Sequence, residues 1–184
     1  MVFVDFVPVG ILAGALLGGS LRRLVDFHLR SLWLAFAAIG LQVIAFPSGV
    51  FPWSTPDSVA RALWLASYAL LGALVIRNYR VAGVAIVGLG QLLNLIAILA
   101  NSGHMPATRE ALDGAGLSYH LKNNSVSLTH PHASWLVDRW AAPGWLPLGN
   151  VYSVGDVVIA LGVVVTLVLA MRRPFRAASA ILAD

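Results

Sequence analysis

Apolar residues run in five long blocks along this chain, separated by short polar connections and by one long mixed loop. The blocks cover about 3–18, 32–46, 60–76, 81–100 and 151–171, each near the length that crosses a lipid hydrocarbon core. In lipid such a segment has to be helical, because unpaired backbone N–H and C=O groups find no partner there. The pattern therefore predicts an all-α membrane protein. Five transmembrane helices form a single membrane domain over 1–184, and the loop at 102–150 folds over its outer end as a lid. The first block is short for a bilayer of ordinary thickness, and Gly14, Gly18 and Gly19 predict that it packs closely on a neighbour.

Composition agrees with that reading. Of 184 residues, 59% are hydrophobic and 11% charged, and the mean hydropathy is +0.82, whereas a soluble domain carries about 25% charged residues. The chain has no cysteine, which excludes disulfides, thiolate metal sites and cysteine nucleophiles. The formal charge of +4 reads as topology rather than nucleic-acid affinity. Arg22, Arg23 and Arg30 follow the first block, Arg77 and Arg80 the third, and Arg172, Arg173 and Arg176 the fifth. All three regions fall on one side of a five-span chain, which the positive-inside rule makes cytoplasmic. The N-terminus, the Pro47–Val59 connection and the long loop are then outside, and the C-terminus inside. A cleavable leader would need a basic start, but Asp5 precedes the first apolar run, so that helix is expected to be retained.

The long loop carries Pro106, Pro131, Pro143 and Pro147, which divide it into short pieces, and Trp135, Trp140 and Trp145, suited to a membrane surface. A helical turn is expected from Thr108 to about Leu112, then a polar stretch at Ser118–His132 and an interfacial segment at Ser134–Trp140. The loop opens on a polar knot, Asn101-Ser102-Gly103-His104-Met105-Pro106, and ends on Tyr152-Ser153-Val154-Gly155-Asp156. With Gly18-Gly19-Ser20-Leu21, Leu32-Trp33-Leu34, Gln42 and Leu65-Ala66-Ser67-Tyr68, these segments resemble a family of small bacterial integral membrane proteins catalogued as a domain of unknown function. Its hallmarks are an N-G-G-x-M-P-like knot and an S-x-G-D-like start of the last helix. Ser102 departs from the first glycine of that knot. The resemblance implies architecture and location, and it marks His120 and Asp138 as further polar positions of the outer loop.

The candidate chemistry is sparse. Gln91, Asn94 and Asn101 recur at three- and seven-residue steps, so their amides share one face of the fourth helix. Interhelical hydrogen bonding is the plainest use of such a face, at about 0.6 kcal/mol per contact, with Gln42, Ser67 and Tyr68 as natural partners. A polar pocket is the functional alternative. Asp156 is an acidic residue at the edge of an apolar span, and Ser153 three positions before it makes an S-x-x-D capping pattern. Asn101 and Gly103 suit a helix C-terminus, which Pro106 cannot continue. His104, His120, His130 and His132 lie in the loop; His130 and His132 flank a proline like a weak metal-binding pair, to which Asp138 or Asp113 could contribute, yet without a recognised ligand spacing.

No charge sits near the middle of a span, which argues against a proton relay or voltage sensor. There is also no phosphate loop and no histidine within a span to hold haem. No catalytic residue and no cofactor are expected. The leading expectation is a non-enzymatic multi-pass protein of the cytoplasmic membrane with an outward-facing polar pocket. Gln91, Asn94, Asn101, His104, His120, Asp138 and Asp156 would bind a small ligand or lipid headgroup there, with transport as an extension. The alternative is an accessory or assembly subunit of a larger membrane complex, and the third reading an enzyme acting on a lipid-linked substrate. The expected partners are the lipid bilayer and other membrane subunits, not nucleic acid.

Overall fold

The computed structural model describes residues 2–47, 51, 53–116, 125–126, 128, 130–142 and 151–172, with the backbone alone for 2–5 and 125–126. His120, Pro143, Trp145, Pro147, Arg173 and Arg176 lie outside the described residues.

All five expected helices form. They are α1 (Val2–Leu16), α3 (Trp33–Ala45), α4 (Asp57–Asn78), α5 (Val84–Ala100) and α7 (Val154–Arg172), with a short α2 (Arg22–Val25) after the first. Two of them, α4 and α7, are long and apolar enough to cross a membrane; α1, α3 and α5 carry shorter apolar stretches. At 1.5 Å per residue, the 13 residues of α3 reach only about 20 Å, less than the ~30 Å of a hydrocarbon core. The helix starts follow local chemistry. Pro56 precedes α4 with an extended backbone, and Asp57 in the first turn faces the positive end of the helix dipole.

Each helix buries one stripe. In α4 it is Ala60, Trp64, Ser67, Leu71 and Asn78; in α5 it is Gly90, Gln91, Asn94, Ala97 and Ile98, the spacing expected of one helical face. Helix α7 packs between α1 and α5, and α4 between α5 and α3. The α5–α7 contact is backbone to backbone. A side-chain carbon on Gly90 would fall 2.5 Å from the Gly155 carbonyl oxygen, and one on Gly162 would fall 2.6 Å from the Val87 amide nitrogen. Gly83, the N-cap of α5, and Gly90 within it are seven residues apart, and Gly155 and Gly162 are seven apart on α7. Two glycine pairs therefore let the antiparallel axes approach, as small residues do in membrane bundles. Gly10, Gly14 and Gly19 press against Leu167 and Met171 of α7 in the same way, while Gly18 takes a positive φ with open space around it.

The loop after α5 is a folded cap and not purely irregular. It contains α6 (Arg109–Gly114), capped by the Thr108 hydroxyl, which accepts from the Ala111 amide at 3.2 Å. Among its described residues are also four two-residue strands, which the all-α expectation omitted: β1 (Met105–Pro106), β2 (Ser125–Val126), β3 (Trp140–Ala141) and β4 (Val151–Tyr152). Parallel β1–β2 pairing sets Met105 opposite Ser125, and antiparallel β3–β4 pairing sets Trp140 opposite Tyr152. An Ala107–Asp138 bridge joins the two pairs. Period-two patterning is invisible in strands this short, so hydropathy could not reveal them.

One apolar cluster locks cap to bundle, and a second holds the cap itself together. Trp64, Ala97, Ile98, Met105 and Leu136 form the first, with Phe46, Tyr68 and Val154 against it. Phe46 meets Trp64 edge-on with ring centroids 5.3 Å apart. Ala107, Ala111, Leu112 and Val151 form the second, inside the cap. Arg22, Arg23, Arg30, Arg77, Arg80 and Arg172 all sit at the helix ends opposite the cap.

Candidate functional site

Beneath the cap, α5, α7 and α4 bring four polar side chains together. Ser153 precedes α7, and its hydroxyl accepts from the Asp156 amide at 3.1 Å, while Asp156 Oδ2 accepts from the Ser153 amide at 3.0 Å. This is the reciprocal cap that the S-x-x-D spacing predicts. The Asn94 Nδ2 donates to Asp156 Oδ1 at 2.8 Å, and Ser153 Oγ lies 2.7 Å from Asn94 Oδ1 and 3.0 Å from Asp156 Oδ2. The single hydroxyl hydrogen serves one of those acceptors at a time. From α4, the Tyr68 hydroxyl reaches the Asn94 side chain, with the Asp156 and Asp138 carboxylates within electrostatic range.

Burial makes this network demanding. Asn94, Ser153, Asp138 and Asp156 are all buried, and a carboxylate leaves water only at a high cost unless donors replace the solvent. Asp156 has donors from Asn94 and from the Ser153 backbone, and it lies in the first turn of α7, where the helix dipole favours a negative charge. Among the described residues, no fully buried side-chain nitrogen or oxygen lacks a partner. Gly155 is essential to the geometry, because any side-chain carbon there would overlap Asn94 Oδ1.

The other expected residues are placed around this centre rather than on it. Gln91 is buried one turn back along α5. Gln42 and Ser67 pair with each other at 3.0 Å between α3 and α4, so of the three natural partners Tyr68 alone meets Asn94. Asn101 closes α5: the Gly103 amide returns to the Ile98 carbonyl at 2.9 Å, with Ser102 left-handed at φ +59° between them. That is a Schellman-type end, and a serine holds the position where glycine is the usual residue. The Asn101 side chain donates to the Ala97 carbonyl at 2.7 Å and brackets the His132 backbone, donating to its carbonyl at 3.0 Å and accepting from its amide at 2.9 Å. His130 and His132 are themselves exposed, and among the described residues no three His, Asp or Glu side chains gather as a metal site would require.

His104 belongs to a separate, accessible group. Its Nε2 lies 3.3 Å from Asp57 Oδ1 and 3.4 Å from Arg61 Nη1, and Arg61 is also paired with Asp57. The Arg61 stem lies across Gly103, where a side-chain carbon would come within 2.8 Å of Cδ. Asn101, His104 and Asp156 therefore do not converge on one point: the first holds the cap backbone, the second faces α4, and the third closes α7.

Four features escaped the sequence reading. Asp57 and Arg61 sit one helical turn apart, but nothing in the sequence aims them at the knot. Asn78, the last residue of α4, repeats the Asn101 device at the basic end. It donates to the Leu74 carbonyl at 2.8 Å and brackets the Arg30 backbone at 2.9 and 2.7 Å. The signal there was faint, an asparagine at a helix end. The seven-residue glycine spacing on α5 and α7 was legible and is the fourth.

An uncharacterized protein of Thermotoga maritima is 26% identical over 163 residues, covering 86% of each chain. No solved structure matches. Residues 26–168 match the family of unknown function DUF5317, so the knot, the amide face of α5 and the start of α7 all lie inside the matched region, and the chain belongs to that family.

Proposed function

We propose that this protein is a five-span, non-catalytic component of the cytoplasmic membrane, cap outside, that binds a small polar ligand or lipid headgroup at its outer face. The membrane reading draws support from apolar side chains turned outward around the bundle, such as Leu16 at 78%, Phe36 at 68% and Leu161 at 56% exposure. Water would penalise such a surface by about 25 cal/mol per Å². The arginines gathered at the end away from the cap support the orientation.

The observation that carries the binding reading is the Asp57–Arg61–His104 group. The buried Asn94–Ser153–Asp156 network spends its donors and acceptors internally, so it supports a clamp that holds α5, α7 and the cap in register. The group around His104 keeps polar atoms at the surface and offers a carboxylate, a guanidinium and an imidazole side by side. That set fits a ligand bearing both charges, such as a zwitterionic headgroup.

The test is untargeted identification of lipids and small molecules that co-purify with the full chain in mild detergent, comparing wild type with Arg61→Gln and His104→Ala. A zwitterionic species retained by the wild type and lost from both variants is the expected result. Equal retention by all three, or an empty wild type, overturns the site. Stable co-migration with other membrane proteins and no bound small molecule would favour the subunit reading.

A further inference from the structure

The end of the bundle opposite the cap carries an open cleft of about 650 Å³ between the α2–α3 connection and the α4–α5 turn, and among the described residues no carboxylate lines it. Arg30, Arg77 and Arg80 contribute its charge, with His28 at its edge. The backbone that presents Arg30 is fixed, because the Asn78 amide brackets the Arg30 N–H and C=O. The Arg77 guanidinium is steadied by a 2.6 Å donation to the Ser31 hydroxyl, and Arg80 donates Nε to the Tyr79 hydroxyl and lies 5.4 Å from that ring's centroid. Each contact uses part of a guanidinium and leaves further N–H groups directed elsewhere. Among the described residues, no ion pair involves any of the three arginines.

Three cations around one cleft, with no carboxylate among its described lining residues, repel one another, and a doubly negative, multi-oxygen group relieves that repulsion best. Planar guanidinium forks match phosphate oxygens bidentately. We infer that this cleft is a binding site for a phosphate-bearing anion, held by Arg30, Arg77 and Arg80 on a frame set by Asn78. The anion could be free, or the headgroup of an anionic phospholipid. Ile76, exposed at the cleft wall, offers an apolar path along α4 for an acyl chain, and basic clefts at cytoplasmic helix ends suit such headgroups. The lipid source rests on the membrane reading above; the anion site itself does not rest on the outer-face group.

The test uses the full-length protein in nanodiscs of phosphatidylcholine alone or with phosphatidylglycerol, and in detergent with inorganic phosphate or glycerol phosphate. Native mass spectrometry counts retained lipid, and a thermal-shift titration gives affinity. Retention of phosphatidylglycerol, weakened about tenfold in each of Arg77→Gln and Arg80→Gln, is expected for a lipid headgroup. Saturable binding of the soluble phosphates, lost in the same variants, identifies a free anion instead. Arg109→Gln, which removes a cation from the capped end, must leave either affinity unchanged. Absence of binding in every arm, or equal loss in Arg109→Gln, overturns the inference. Circular dichroism of each variant checks that it is folded, and Arg77→Lys, which keeps the charge but not the fork, should recover only part of the affinity.

Discussion

The contact between α5 and α7 makes a sharp prediction about glycine. A methyl group on Gly155 would sit 2.7 Å from the Gly90 carbonyl oxygen and overlap Asn94 Oδ1. The carbonyl is backbone on a packed helix and cannot rotate away, so it has to recede by about 0.7 Å to reach ordinary contact near 3.4 Å. Forcing a packed core apart costs about 1–3 kcal/mol. Displacing Asn94 also removes a donor from Asp156 and an acceptor from Ser153, worth about 1–3 kcal/mol for buried groups. Gly155→Ala should therefore destabilise the protein by about 2–6 kcal/mol and lower its melting temperature by about 4–24 °C.

Gly72 supplies the internal control. It lies within α4, and a side-chain carbon there meets nothing within 4 Å. Gly72→Ala should stabilise by about 0.5–1 kcal/mol through helix propensity alone. The assay is thermal unfolding of the detergent-solubilised full chain followed by tryptophan fluorescence, with both variants prepared identically. Opposite signs are expected from the same chemical change. If Gly155→Ala melts at or above the wild type, the close helix approach, and with it the positioning of Asn94, is refuted.

The other predictions concern the helix ends. Asp156→Asn keeps the shape but can offer only one acceptor oxygen where two are used, so it should destabilise by about 1–2 kcal/mol, and Asp156→Ala by more, about 3 kcal/mol; chemical denaturation of the two variants checks the order. Ser102→Gly relieves a left-handed serine and should stabilise by about 1 kcal/mol, whereas Gly103→Ala, at φ +87° against the Arg61 stem, should destabilise. A melting-temperature change of the same sign in both would contradict that account of the knot. Asn101→Ala should release the His132 backbone, visible as faster amide exchange there and faster proteolysis of the cap, with the bundle's helix content unchanged.

The helices were legible because α1, α3, α4, α5 and α7 follow from runs of apolar residues, a local property of the chain. Capping was legible too at Asn101 and at the Ser153–Asp156 pair, which act within a few residues of themselves. The candidate site was legible only in part. Asn94 and Asp156 were expected to be functional, and the structure joins them, but their spacing of 62 positions conceals the contact. The Asn101 amide, expected to end a helix first and to serve a site second, holds a backbone 31 positions away, a contact that no local pattern reveals.

What the sequence determined by itself is therefore the set of helices, their ends, and the gathering of arginines in alternate connections, because hydropathy, caps and charge are each encoded within about one helical length. Which polar groups meet depends on tertiary packing. The seven-residue glycine spacing on α5 and α7 brings two backbones into contact, that approach sets Asn94 against Ser153 and Asp156, and the cap strands depend on residues far apart in the chain. Hydrogen bonds of that kind depend on where two helices are placed relative to one another, and that placement is set by close packing over the whole interface rather than by any short stretch of residues.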